Sequence, residues 1–236
     1  MDYYPLTLRS LIDPNMQLSE RNWLQLMCGI ANRLVTTHSA MISHGDLCPS
    51  NGMKDSIPSG LMIVLVNAPV NFEYDPNAML VSDFGVNYLT QLVDAAGQIR
   101  VVPGSLVYMA PEIRSLNRPD ATPESDMWSV GVIGYELAIG HELETTNQFG
   151  APLEAYFQGQ ELDLSLIPNW YSAYVHQIIR DCLHRDPAQR ISAANLCNRI
   201  QQLLASYPPQ PPPVVMPGGW QPMVRSHQYF TKYVQT

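Results

Sequence analysis

The most restrictive feature of this sequence is a stretch near its middle that has almost no polar face. Between Glu124 and Ile139, apolar residues occupy every side of a helix rather than one: Met127, Trp128, Val130, Val132, Ile133, Tyr135, Leu137 and Ile139. A helix that is apolar all round is buried by its neighbours. The stretch therefore predicts a central helix that other elements surround.

Three further stretches repeat apolar residues at helical spacing. They predict helices from Glu20 to about Ser39 with Ser19 as its cap, from Tyr171 to Leu183, and from Ala193 to Leu204 with Ser192 as its cap. Two short runs, LMIVLVN and AMLVSDF, are typical of strands and predict an irregular hairpin with an inserted loop. The fold class that follows is mainly α, a helical bundle around a buried central helix with a small β-hairpin.

Charge and hydropathy exclude several classes of function. The formal net charge of the 236 residues is −8, which argues against binding to nucleic-acid phosphates or anionic membranes. The longest apolar run, Leu61 to Val66, is far shorter than the ~20 residues that span a bilayer, and MDYYPLTLRS does not resemble a signal peptide. We expect a cytoplasmic protein whose partner is a protein or a small ligand.

The cysteines and the C-terminal composition complete the outline. Cys28, Cys48, Cys182 and Cys197 form no CxxC pair, so buried or idle thiols are expected rather than a zinc site. After Ser206 the sequence PPQPPPVVMPGG favours extended polyproline conformations or disorder. We therefore predict a folded domain over 1–205 and a tail over 206–236, which is either a linker or a ligand for SH3-like or WW-like grooves.

Five short motifs follow one another along the chain. They are HGDLCPSN at 44–51, SDFG at 82–85, GSLVYMAPE at 104–112, SDMWSVG at 125–131 and RDPAQR at 185–190. In this order they resemble the C-terminal lobe of a eukaryotic protein kinase of the serine/threonine type, over roughly residues 1 to 204. The resemblance implies phosphoryl transfer from ATP with Mg²⁺ as cofactor.

The resemblance also implies roles for individual residues. Asp46 matches the carboxylate that receives the substrate hydroxyl's hydrogen bond, while Asn51 and Asp83 match the magnesium ligands. The opening MDYYPLTLRSLI resembles the hinge, which would place the backbone of Asp2 to Tyr4 beside an adenine.

Three other matched residues have structural roles. Glu112 and Arg190 resemble the ion pair that anchors the activation segment. Asp126 resembles the central-helix residue that accepts hydrogen bonds from the backbone of the catalytic loop.

The sequence departs from the family pattern at its cationic positions. Gly45 replaces the arginine that usually receives an activation-loop phosphate, and Cys48 replaces the lysine that usually steadies the transferred phosphoryl group. The chain contains only two lysines, Lys54 and Lys232, and no GxGxxG loop, so a chain that starts at the hinge would lack the N-lobe. ATP binding is expected to be weak or lost.

Asp83 stands 32 positions after Asn51, more than the family pattern usually needs, and we call residues 52–80 the insertion. Three hypotheses follow from these retained and altered features. The first is a pseudokinase or scaffold that binds proteins through its activation segment, its 52–80 insertion or its proline-rich tail. The second is an active serine/threonine kinase whose N-lobe is missing from this chain. The third is a decaying paralogue without function. The 52–80 insertion is either tolerated extra length, which is cheap in loop entropy, or a docking loop.

Overall fold

The computed structural model describes residues 8–15, 18–45, 47–49, 64–65, 79–80, 106–114, 121–143 and 148–207. The described elements are mainly helical, as the sequence predicts. The α-helices are α1 (Glu20–Ser39), α2 (Pro123–Ile139), α3 (Ala151–Phe157), α4 (Ala173–Cys182) and α5 (Ala193–Ser206). Short 3₁₀ turns span Leu8–Leu11, Leu106–Tyr108 and Pro187–Gln189. None of the described helices has the length and apolar character needed to cross a membrane.

The predicted central helix is α2, and it is buried as expected. Every residue from Ser125 to Ala138 is buried. Thr122 caps its first turn, because its side chain accepts a hydrogen bond from the Ser125 backbone N–H. In return, the Ser125 hydroxyl accepts a hydrogen bond from the Thr122 backbone N–H. Gly140 ends it in the left-handed conformation at φ 70°, which glycine adopts without a steric penalty.

Helices α1 and α4 pack against α2, and α5 packs against α1. The indole of Trp23 in α1 donates a hydrogen bond to the Gly134 carbonyl of α2 over 2.8 Å. Between α1 and α5, the sulfur atoms of Cys28 and Cys197 lie 3.7 Å apart. All four cysteines are buried and none forms a disulfide, which confirms the prediction of buried thiols.

The predicted caps explain why most helix bounds agree with the sequence. Ser19 and Ser192 accept hydrogen bonds from the backbones of Asn22 and Asn195, so α1 and α5 begin where predicted. The prediction for α4 was two residues early, because Ser172 is its extended N-cap and accepts from Tyr174. Helix α3 was missed.

The described residues include one antiparallel strand pair of the predicted hairpin. Strands β1 (Val64–Leu65) and β2 (Met79–Leu80) pair antiparallel, with Val64 opposite Leu80 and Leu65 opposite Met79. The other residues of the two apolar runs lie outside the part of the chain that the structure describes.

Candidate functional site

The residues with the strongest predicted chemistry lie outside the described part of the chain. These are Asp2, Tyr4, Asp46, Asn51 and Asp83. Their roles as hinge, base and magnesium ligands therefore remain predictions. The structure does describe the loop residues on either side of Asp46, together with the elements that hold them.

The loop that carries Asp46 is held by one buried carboxylate on the central helix. Asp126, 1% exposed, accepts hydrogen bonds from the backbone of His44 over 2.6 Å and of Gly45 over 2.8 Å. A carboxylate that accepts backbone N–H groups forms charge-assisted bonds, which are stronger than neutral ones. The predicted role of Asp126 is confirmed.

A histidine at the end of α1 contacts the same carboxylate. The Nε2 atom of His38 lies 2.9 Å from Oδ2 of Asp126. The loop is thus fixed to both α1 and α2 immediately before Asp46. The sequence did not predict this partner, because 88 positions separate His38 from Asp126.

Gly45 has a backbone conformation that suits glycine. Its φ of 82° lies in the left-handed region, where residues with a side chain are strained. Its backbone N–H also donates to Asp126, so this conformation is part of the loop's attachment.

The described loop residues after Asp46 face the interior. Leu47 is 1% exposed and Cys48 is 8% exposed. The carbonyl of Pro49 accepts a hydrogen bond from the Arg9 backbone over 3.0 Å, which ties the loop to the first 3₁₀ turn. At position 48 the loop therefore presents a largely buried thiol with no fixed positive charge.

The predicted ion pair between Glu112 and Arg190 is present. The two guanidinium nitrogens of Arg190 bind the two Glu112 oxygens over 2.8 and 3.1 Å, a bidentate geometry. Arg190 also donates to the carbonyls of Glu124 and His184. One buried guanidinium therefore joins the 106–114 segment to the start of α2 and to the segment after α4.

A second buried attachment involves Glu136, which is fully buried in α2. The Tyr108 hydroxyl lies 2.8 Å from both of its carboxylate oxygens, and the Leu143 backbone donates to one of them. Burial, and then the nearby Glu136 carboxylate, raise the pKa of Tyr108. The phenol therefore stays protonated and acts as a donor.

Two more hydrogen bonds hold the 106–114 segment against α2. The Trp128 indole donates to the Val107 carbonyl over 3.2 Å, and the Ser129 hydroxyl donates to the Tyr108 carbonyl over 2.7 Å. The roles of Tyr108, Ser129 and Glu136 were not predicted from the sequence. The one available signal was Glu136 itself, a charged residue in the otherwise uncharged stretch from Met127 to Ile139.

Together these contacts build a rigid support around the loop and the segment at 106–114. Within the described residues, no three His, Cys, Asp or Glu side chains lie together as a metal site. The arrangement can hold a loop and a segment in fixed positions.

Comparison with known proteins shows to which family these buried contacts belong. The family model described as "Protein kinase domain" matches residues 1–200. The chain belongs to the protein kinase family. The ion pair, the Asp126 attachment and the buried α2 are therefore parts of a kinase domain, and kinases of this family generally use ATP and Mg²⁺.

Named relatives of this kinase domain include serine/threonine kinases. It is 28% identical over 180 residues to CBL-interacting protein kinase 1 of Oryza sativa, covering 76% of this chain and 34% of that protein. It is 31% identical over 163 residues to serine/threonine-protein kinase ULK3 of Mus musculus, covering 69% and 30%. With serine/threonine-protein kinase PkaB of Streptomyces coelicolor it shares 27% identity over 199 residues, covering 84% and 43%. The chain thus spans about a third of the length of most of these relatives.

Proposed function

We propose that this kinase domain is a pseudokinase-like module that binds protein partners, with weak or no ATP binding. The observation that carries the proposal is Cys48, which is only 8% exposed at the position where the family pattern has a lysine. A thiol supplies no positive charge to a transferred phosphoryl group. One preorganised electrostatic contact of this kind is worth ~10² to 10³ in rate.

The contrast between retained and lost residues supports the same proposal. Asp126, Glu112 and Arg190 keep their family contacts, and these contacts maintain shape. Gly45 and Cys48 replace residues that would handle phosphate. A domain that keeps its fold but lacks these phosphate-binding charges can still bind other proteins. We propose that it binds them through the activation segment, the 52–80 insertion and the proline-rich tail.

A phosphate-transfer assay tests the proposal. We expect the chain, incubated with radiolabelled Mg-ATP and generic serine/threonine substrates, to incorporate no more label than its Asp83→Ala variant. Asp46→Asn serves as a second control, since it changes the predicted base and leaves the predicted metal ligands in place. Label that appears with the chain and disappears in both variants would overturn the proposal.

Nucleotide binding is a separate property and needs its own measurement. Asn51 and Asp83 are the residues we propose for holding magnesium, but position 48 contributes no charge to the phosphates. We expect a thermal-shift titration with Mg-ATP to give a midpoint no tighter than high micromolar. A low-micromolar midpoint that is lost in Asp83→Ala would contradict weak binding.

The alternative is an active serine/threonine kinase that transfers the ATP γ-phosphate to protein hydroxyls, with its N-lobe encoded outside this chain. The observation that favours it is the hydrogen bonding of Asp126 to His44 and Gly45, which holds the backbone next to the predicted base Asp46. Sequencing the gene upstream of the Met1 codon distinguishes the two functions. An open frame that encodes a GxGxxG strand and a VAIK-like lysine would favour the kinase, and its absence would favour the binding module.

A further inference from the structure

Two exposed aromatic side chains lie close together in sequence at the beginning of α4. Trp170 is 51% exposed and Tyr174 is 60% exposed, although both are large and apolar. They stand two residues before and two residues after Ser172, the N-cap of α4. We call these two side chains the aromatic patch.

The end of α5 is fixed beside this patch. The Tyr207 hydroxyl is hydrogen-bonded to Glu20, and the same carboxylate accepts from the Ser172 backbone over 2.6 Å and from its hydroxyl over 2.7 Å. One carboxylate therefore links the last described residue of the chain to the residue at the centre of the patch.

A groove between α4 and α5 borders the aromatic patch, because Tyr174 belongs to both. Tyr174 and Ser206 both line it, together with the apolar side chains of Ile178 and Leu203. At its other end Asp181 and Arg199 form an ion pair. The groove thus mixes apolar and uncharged polar side chains, including Gln177 and Gln202, on the side of the patch and carries its charged residues away from it.

Tyr207, the residue that follows α5, has the backbone conformation that proline-rich sequences favour. Tyr207 has φ −75° and ψ 140°, which are the angles of polyproline II. The residues that follow are PPQPPP, at 208–213, and each proline favours this conformation both for itself and for the residue before it. Polyproline segments bind grooves lined by aromatic side chains, because a preformed helix loses little entropy on docking.

We propose that the proline-rich segment 208–213 docks on the aromatic patch of its own chain, with proline rings packed against Trp170 and Tyr174. Six residues of polyproline II extend about 19 Å, and the segment starts next to Tyr207, which is joined through Glu20 to Ser172 between the two aromatic residues. The covalent link gives the segment an effective concentration in the millimolar range, so even a weak contact is occupied. A partner's proline-rich segment has no such advantage, and this favours the chain's own tail as the occupant.

The indole N–H signals of the full chain, read by ¹H–¹⁵N NMR, test the proposal. The variant carries serine in place of the prolines Pro208, Pro209, Pro211, Pro212 and Pro213. We expect the Trp170 signal to shift between the wild-type chain and this variant, whereas the fully buried Trp23 and Trp128 keep their positions and show that the fold is intact. Trp170→Phe and Trp220→Phe assign the two remaining signals. An unchanged Trp170 signal would overturn the proposal.

Two additions separate docking within one chain from other arrangements. The Trp170 shift should not depend on protein concentration, because a shift that disappears on dilution would mean docking between copies and would overturn the proposal. A free peptide with the sequence YPPQPPPVV should move the Trp170 signal of the serine variant at ~millimolar concentration. If Trp170 of the serine variant does not respond to the peptide, the patch is not the docking site.

Discussion

At the scale of single residues, buried polar side chains hold this domain in its shape. The Arg190 side chain is fully buried and binds Glu112 as well as the carbonyls of Glu124 and His184. A second arginine, Arg199, pairs with Asp181 on the surface, where its side chain is 45% exposed. If the arginine is removed, water can hydrate its former partner at the exposed Arg199 site but much less at the buried Arg190 site.

We predict that Arg190→Met lowers the free energy of unfolding by roughly 3 to 5 kcal/mol, because it removes the buried guanidinium that Glu112 and two carbonyls share as a donor. Arg199→Met is the matched control and should cost at most about 1 kcal/mol, since exposed ion pairs contribute little. Urea unfolding of both variants measures the difference. Equal losses would mean that the Arg190 network does not hold the segment at 106–114.

The same residues show what the sequence could and could not predict about the site. The Glu112–Arg190 pair and Asp126 were predictable, because each belongs to a motif whose role is known for the family. His38 and the Tyr108–Glu136 contact were missed, because partners brought together by folding leave no local signal in the sequence. Asp46, Asn51 and Asp83 remain predictions.

At the scale of elements, local signals decided which helices could be predicted. Helices α1 and α5 begin with a serine cap and were located correctly at their starts. Helix α3 has seven residues, no side-chain cap and a proline in its first turn, so its position depends on its tertiary contacts. Its Tyr156 and Phe157 rings pack on Trp128 of α2, with ring centroids 6.1 and 5.2 Å apart.

Close contact between α2 and α4 gives a prediction at this scale. A Cβ atom on Gly131 would lie 2.8 Å from Cys182 Cβ and from Leu183, both near the end of α4. We predict that Gly131→Ala lowers the free energy of unfolding by about 1 to 3 kcal/mol through overpacking, despite alanine's higher helix propensity.

Gly134→Ala in the same helix is the control for Gly131→Ala. Its new Cβ would first meet the terminal methyl of Met27, at 2.8 Å, and this flexible side chain can move. Its cost in thermal or urea unfolding should therefore be smaller. If Gly134→Ala is the more damaging substitution, the α2–α4 contact is not the tighter one.

At the scale of the whole molecule, the described helices share one apolar core that also encloses phenol groups. Burial raises the pKa values of Tyr108, Tyr135 and Tyr171 above the ordinary range. In the unfolded chain these phenols ionise near pH 10, whereas in the folded chain they remain protonated at higher pH. The folded state therefore loses stability as pH rises above about 10, because the unfolded state releases protons first.

We predict that the free energy of unfolding falls between pH 9 and 11, approaching about 1.4 kcal/mol per pH unit for each buried phenol once its unfolded form is ionised. Tyr171→Phe removes one of these groups, along with its hydrogen bond to the Leu18 carbonyl. The variant should be less stable at pH 8 but should lose stability less steeply above pH 10. Parallel curves for wild type and variant in urea unfolding would contradict the buried-phenol explanation.

The attachment of Asp126 has a consequence for how such a domain can change over generations. Its carboxylate holds the main-chain N–H groups of His44 and Gly45, and main-chain N–H groups are present in every amino acid except proline. These two hydrogen bonds do not involve the side chains of the loop, although the left-handed backbone at Gly45 favours glycine at that position. The side chain at position 48 can therefore change without the loss of these two hydrogen bonds, so the position of the loop does not depend on whether a cysteine or a lysine stands there.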